Sequence, residues 1–455
     1  MKKFVIILLC LLLAGAAGWY FMRDKSSARD VLPADATAVI VFEPAELMSG
    51  LGLTTDDLKS LAKVLPNGEE SFSAADLSKP IYTFVSESGT TGIAMDVNDE
   101  GKLLKVLEEQ GCNIEEQRGF HWFTVSNGLG CVGKDKMLLF TPVSGTEQDA
   151  LRGEMVKLMT QSRQDVVLLE KAEKQKGLLK LSIAMSNLPK KYLDKLPEGT
   201  DLSDTYLNAA FSIGNEDLTF ALNFEGSDEM TLPLEAIKGS LTGMQPEEPF
   251  IWLSANMKGE QLLPHMRKIP ELRSALLALN MCVDADMMLK AIDGDIMLAI
   301  PTADFEHPNF LLTATLANTD FLANKNDWQV ARRSDTDFSI KGNTGEVFFG
   351  VRDGRLYIAT TAELADKACQ EANANALQQA AKGKYLSAAL DVSQIFKAYP
   401  SYALMLRAVP QIYDTVDAID QVVLSSNTQR NVELSIRTKK PIKDIVEKIM
   451  ELAKK

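Results

Sequence analysis

The chain has 455 residues, 46% hydrophobic and 24% charged, ordinary globular values that exclude extended disorder and point to two domains rather than one core. Its formal charge is −14; the first 30 residues carry five Lys/Arg against two acids, net +3, which leaves −17 for the remainder. An acidic body without a Lys/Arg-rich run interleaved with aromatics excludes nucleic acid as a natural partner.

Lys2 and Lys3 precede an uncharged run from Phe4 to Met22, which Arg23 ends. At about 1.5 Å per residue the run approaches the hydrocarbon thickness of a bilayer, and Trp19, Tyr20 and Phe21 stand where an aromatic belt would meet headgroups. Residues 1–30 therefore read as a signal-anchor helix and short linker, with the membrane contacted through residues 4–22. The rival is a cleaved signal peptide ending at Ala14-Gly15-Ala16. Leu8-Leu9 before Cys10 are too bulky for a lipoprotein cleavage site. Flanking cations leave orientation open, Lys2 and Lys3 standing against Arg23, Lys25 and Arg29. The short N-terminal tail resembles an export signal, so the body is expected to face the periplasm or exterior. An inner-membrane anchor is favoured, with secretion or the outer membrane as alternatives.

Downstream, strands and helices recur in one order. Thr37–Phe42 is a β-branched strand, and Pro44 opens a helical stretch through Leu47, Leu58, Leu61 and Val64. Strands Ile81–Ser86 and Ile93–Val97 follow, then a helix from Asp99 to Gln110. A meander runs through Cys112–Gln117, His121–Ser126, Leu129–Val132 and Met137–Thr141, turning at Asn127-Gly128. From about Glu247 the order repeats: strand Phe250–Ala255, helix Gln261–Leu279, strands Ile296–Pro301 and Phe310–Leu316, and a second meander from Trp328 to Thr360. Leu181–Met185 pairs with Leu386–Leu390, and Ala209–Phe224 with Val422–Arg437. The fold class is thus α+β, an N-terminal helix followed by two tandem repeats, 31–245 and 246–455. Each repeat is a mostly antiparallel sheet with helices packed on one face. Pro441 opens a C-terminal helix whose Ile442, Ile445, Val446, Ile449 and Leu452 form an apolar stripe, expected to dock on its own sheet.

Chemistry-bearing residues do not converge. His121, His265 and His307 lack a second His at helical spacing, so structural or solvated roles are expected of each. Cys112, Cys131, Cys282 and Cys369 form no CxxC pair and read as buried thiols, with a Cys112–Cys131 bridge as the alternative. Asp284, Asp286, Asp293 and Asp295 lack the order of a calcium loop, and Asp293–Asp295 is expected in a helix-to-strand turn. Met281, Met287, Met288 and Met297 are expected to fill core. No nucleophile elbow or phosphate loop is present. No catalytic, cofactor-binding or metal-ligating residue is nominated, and no cofactor.

Asp30-Val31-Leu32-Pro33-Ala34-Asp35-Ala36-Thr37-Ala38-Val39, followed by Asp76-Leu77-Ser78-Lys79-Pro80-Ile81-Tyr82, resembles an uncharacterised envelope family of Bacteroides-type bacteria, catalogued as a domain of unknown function. The resemblance spans nearly the whole chain after residue 30. It implies a Gram-negative envelope location, often as a lipoprotein, and carries no catalytic residues. The sequence thus reads as a non-enzymatic binding or scaffolding module, with an envelope protein or apolar ligand as partner. The alternatives are a lipid-handling protein or an envelope-polymer hydrolase using carboxylates.

Overall fold

In the computed structural model the described residues are 28–52, 74–76, 78–87, 89–125, 127–141, 148–188, 201–226, 234–243, 248–304, 309–342, 345–370, 374–401, 407, 413 and 416–453. The expected anchor, its cleavage-site rival, Cys10, His307, and Leu58, Leu61 and Val64 of the first helical stretch lie outside them. Among the described residues no helix is long and apolar enough to cross a membrane. The chain divides into two compact units, Met1–Glu229 with Pro441–Asp444, and Met230–Lys440 with Ile445–Lys455.

In the first unit the strands are β1 (Ala38–Phe42), β2 (Ile81–Val85), β3 (Thr91–Asp96), β4 (Ile114–Gln117), β5 (Phe120–Val125), β6 (Gly128–Val132), β7 (Lys136–Thr141), β8 (Leu179–Ala184), β9 (Tyr206–Ile213) and β10 (Asp217–Glu225). Every neighbour is antiparallel, in the order β4-β5-β6-β7-β3-β2-β1-β8-β9-β10. Helices α1 (Pro44–Leu51), α2 (Glu100–Glu109), α3 (Gln148–Thr160) and α4 (Val167–Glu173) connect them. The Asp99 carboxylate caps α2 by accepting from Lys102 N at 3.0 Å, and Leu103, Val106 and Leu107 form its buried stripe.

The helices do not keep to one face, which corrects the one-sided expectation. On one face Val39, Phe84, Leu138 and Phe140 meet Met155, Leu158 and Met159 of α3 and Leu168, Leu169 and Ala172 of α4. On the other, Ile81, Ile93, Met137 and Leu139 meet Leu103 and Leu107 of α2. The cause lies in the strands: Ile93–Met95 and Met137–Phe140 are buried at every position, so both faces need cover. Before β1, Ala28, Val31 and Leu32 are fully buried, and Ala28 N donates to the buried Asp96 at 3.2 Å. Ile442 is buried in this unit and donates its N–H to Asn215 O at 2.8 Å.

The second unit holds β11 (Ile251–Lys258), β12 (Ile292–Ile300), β13 (Leu311–Leu316), β14 (Ala331–Arg332), β15 (Asp337–Gly342), β16 (Gly345–Arg352), β17 (Arg355–Ala359), β18 (Leu386–Asp391), β19 (Ile419–Ser426) and β20 (Asn431–Thr438). Their order is β14-β15-β16-β17-β13-β12-β11-β18-β19-β20, again antiparallel throughout and position for position the order of the first unit. Its helices are α5 (Gly259–Lys268), α6 (Pro270–Asn280), α7 (Ala285–Lys290), α8 (Ala362–Lys367), α9 (Ala376–Gln379) and α10 (Ser393–Ala398); α11 (Ile442–Ala453) ends the described chain.

Rows of register partners show where the side chains differ. In the first unit the row is Ser182, Val39, Phe84, Gly92, Phe140. In the second it is Ser387, Ser254, Met297, Thr313, Tyr357. A Cβ on Gly92 would stand 2.2 Å from Phe84 Cζ, so the Phe84 ring lies across the bare glycine. In the second row Ser254 stands beside Met297, and less of the space is filled.

Two expectations change here. The single helix Gln261–Leu279 is two helices, because Ile269 before Pro270 is extended (φ −88°, ψ 116°) and Pro270 opens α6. Asp293 and Asp295 lie on β12, not in a turn. Only Ala291 separates α7 from β12, and the irregularity expected of a turn survives as a register shift between Ile292 and Ile296.

Candidate functional site

The second unit carries two features that stand out chemically, one buried and one exposed. The buried one is a small cavity lined by Ile237, Gly239, Leu241, Thr242, Trp252, Ser254, Asp295, Met297 and Gln378. Asp295 is 1% exposed, and among the described residues no cation forms an ion pair with it. Its Oδ1 accepts from Lys238 N at 2.8 Å and Asn256 Nδ2 at 3.0 Å, and its Oδ2 accepts from Ser240 N and Ser240 Oγ, both at 2.7 Å. Four donors saturate the carboxylate and fasten the segment that leads into β11, so its lone pairs are already committed. Trp252 Nε1 and Gln378 Nε2 are buried, and neither has an acceptor among the described residues. Gln378 has only its amide nitrogen to offer, because its oxygen accepts from Asn375 N at 2.8 Å in the capping box of α9. The cavity has room for about one ordered water, an acceptor suited to both donors. It falls below the usual size of a small-molecule site.

The exposed feature is the surface of α5, α6 and α7. A Cβ on Gly259 would stand 1.7 Å from Leu289 O, so the bare glycine lets the start of α5 press against the end of α7. Asp284 caps α7 by accepting from Met287 N at 3.1 Å, and Arg267 of α5 pairs with Asp286 of α7. Leu263, Leu276, Ala285 and Met288 turn inward and are buried. Ile269, Leu272, Leu277, Leu279, Met281 and Met287 do not: Leu277 is 64% exposed and Met281 77%. These six are the majority of the ten large apolar side chains exposed among the described residues. Clustering of this kind, unlike a scatter of single exposed leucines, makes the face a candidate interaction surface.

A third group is structural. Tyr357 donates to Asp337 Oδ1 at 2.6 Å, Arg352 lies 3.1 Å from the same carboxylate, and Arg352 also donates to Ala365 O of α8. Burial, with help from the bond to Asp337, pushes the Tyr357 phenol well above its ordinary value. Burial works to raise Asp337 as well, but hydrogen bonds from Ser334 and Tyr357 and the charge of Arg352 outweigh it and hold the carboxyl lowered. The network ties β15, β16 and β17 to α8 and opens on no cavity described above.

The residues weighed from sequence are dispersed. His121 on β5 lies 3.5 Å from Glu100 of α2, and His265 is exposed on α5. Cys112, Cys131, Cys282 and Cys369 are free. Cys112 precedes β4 rather than lying on a strand, and burial pushes the Cys131 thiol up to about 12. Among the described residues no three His, Cys, Asp or Glu side chains are placed to hold a metal ion. The methionines divide: Met288 and Met297 are core, Met281 and Met287 are surface. A sequence signal for that surface existed in Ala275-Leu276-Leu277-Ala278-Leu279, which is apolar all round and cannot turn every side chain toward one core.

Solved structures resemble the chain distantly. Crystal form IV of TP0453 is 11% identical, with a TM-score of 0.29, covering 46% of this chain and 83% of that one. Crystal form I is 10% identical at 0.29, covering 46% and 81%. Crystal form III is 9% identical at 0.21, covering 74% and 94%. TM-scores this low carry no argument. No curated protein matches the chain. The model of a domain of unknown function, DUF4836, matches residues 29–441, and the chain belongs to that family.

Proposed function

We propose that this chain is a membrane-tethered cell-envelope protein that works as a non-enzymatic binding module, through the apolar surface of α5, α6 and α7. That exposed surface is the observation that carries the reading. Six large apolar side chains, five on α6 and its two caps and one on α7, give up burial that folding would otherwise use, and a binding partner is what restores it. The uncharged run Phe4–Met22 supports the tether, with the body on the periplasmic or exterior side. The resemblance to Bacteroides-type envelope proteins belongs to the same reading. We further infer that the two units are copies of one duplicated α+β unit, for which the shared strand order is the support.

The test is photo-crosslinking. A photoreactive residue is placed at Leu277 or Met281 of the full-length chain, and at the exposed polar Glu363 as control, in membranes from cells that make the protein. The surface positions should give a discrete adduct and the control none. Equal, diffuse labelling at all three would sink the reading.

A further inference from the structure

Resting on the reading that this face binds, we propose what it binds: the headgroup layer of an anionic bilayer. Helices α5 and α6 lie on the membrane to which the chain is tethered. Leu277 and Met281, one turn apart on the side of α6 away from the buried Leu276, enter the acyl boundary, and Lys268 and Arg273, the latter one turn before Leu277, engage lipid phosphates.

Three observations converge on a lipid surface. The first is shape and chemistry. The two helices are short, broken at Ile269-Pro270, and exposed along most of their length, with Leu263 and Leu276 as their large buried anchors. Apolar side chains beside cations on surface helices are the pattern of interfacial segments.

The second is charge. Over α5 and α6 the sequence holds Arg267, Lys268 and Arg273 against Glu260 and Glu271, a small positive excess in a chain whose net charge is −14. Arg267 is paired with Asp286, and Asp284 is committed to the cap of α7. Lys268 and Arg273 are exposed, stand on either side of Ile269 and Leu272, and have no carboxylate partner among the described residues. Their complement is a negative surface. A second copy meeting this face about a two-fold axis would set the same unpaired cations against themselves.

The third is the N-terminal run. A body tethered through Phe4–Met22 meets lipid at an effective concentration far above that of a free protein, so a modest apolar and cationic face suffices to dock it.

The test uses the full-length chain reconstituted in vesicles of 70% phosphatidylcholine, brominated on the acyl chains, and 30% phosphatidylglycerol. Leu277→Trp supplies the reporter, read as the difference from the parent, with Met281→Trp as a second position. The tether holds every variant on the vesicle, so quenching reports on the face alone. Bromolipid should cut the added fluorescence about twofold or more while acrylamide loses access. Lys268→Glu with Arg273→Glu, or vesicles without phosphatidylglycerol, should reduce that quenching severalfold, as expected when each cation near the surface contributes several-fold in affinity. Equal quenching in neutral vesicles would overturn the anionic part of the proposal. A tryptophan shielded from acrylamide yet untouched by bromolipid would overturn lipid as the occupant and leave the binding face standing, covered by protein. A tryptophan open to acrylamide and untouched by bromolipid would overturn both readings.

Discussion

Replacing Asp295 by Asn should loosen the second unit where its sheet begins, and by a predictable amount. The substitution keeps the shape of the side chain but turns one acceptor oxygen into an NH₂ donor. If the amide nitrogen sits at Oδ1, Lys238 N and Asn256 Nδ2 face a donor; if it sits at Oδ2, Ser240 N and Oγ do. The Ser240 hydroxyl can rotate, whereas the Asn256 amide can turn only by giving up its bond to Ala236 O, so the loss falls on at least one backbone N–H, Lys238 or Ser240. A buried donor left unmade costs about 1–3 kcal/mol, and the surviving bonds lose their charge assistance, so the total should be about 3 kcal/mol. For a unit of this size that corresponds to a fall of roughly 6–12 °C in melting temperature. Urea unfolding measures the whole, and hydrogen exchange at the Lys238 and Ser240 amides measures the part. A loss below about 1 kcal/mol, with exchange unchanged at both amides, would refute the view that this carboxylate fastens the lead-in segment.

Gly92→Ala should push the Phe84 ring off its place and destabilise the first unit by about 1–3 kcal/mol, measured by urea unfolding; an unchanged midpoint would show that the ring yields freely. Cys131, fully buried with its thiol pushed up to about 12, should resist iodoacetamide at pH 8 until the protein unfolds, while the half-buried Cys282 reacts first; mass spectrometry of the alkylated peptides decides. Asp337 has a folded pKa lowered below its ordinary value, so its stabilisation is complete above the unfolded pKa and is lost as pH falls through the folded one. Asp337→Asn should therefore weaken the protein at neutral pH and flatten its acid limb. Parallel stability curves for parent and variant from pH 6 down to 3 would contradict that sign.

The strands were legible because their signals are local. Alternating or continuous β-branched runs such as Ala38–Phe42 and Leu311–Leu316 appear where sequence places them, and the Asp99 cap fixes α2 within a residue of its reading. The mixed α+β class with antiparallel sheets follows from the same runs. Layering was harder to read. Met137-Leu138-Leu139-Phe140 is a continuous apolar run, the signature of a strand covered on both faces, but a run of four does not by itself say what covers it. The break at Ile269 has its local cause in Pro270, but the apolar residues on both sides of it read as one helix.

The two candidate features failed to appear for different reasons. Asp295 is invisible as a buried anchor because two of its four partners are backbone N–H groups 55 and 57 residues away, and a backbone donor leaves no mark in a sequence. Its neighbourhood depends on a cross-sheet row that sequence cannot assemble. Val39 and Phe84 fill that row in the first unit, where the ring closes over Gly92. Ser254, Met297 and Thr313 stand at the same places in the second, and the cavity lies beside Ser254 and Met297. The helical surface follows the usual burial rule only in part. Apolar residues on a helix usually face a core, and Leu263, Leu276 and Met288 do. Leu277, Leu279 and Met281 occupy the remaining directions of the same short helix and its end, where one sheet cannot receive them all. An excess of apolar side chains over available core is therefore the physical content of the site, and it argues for an external partner more strongly than any single residue in the chain.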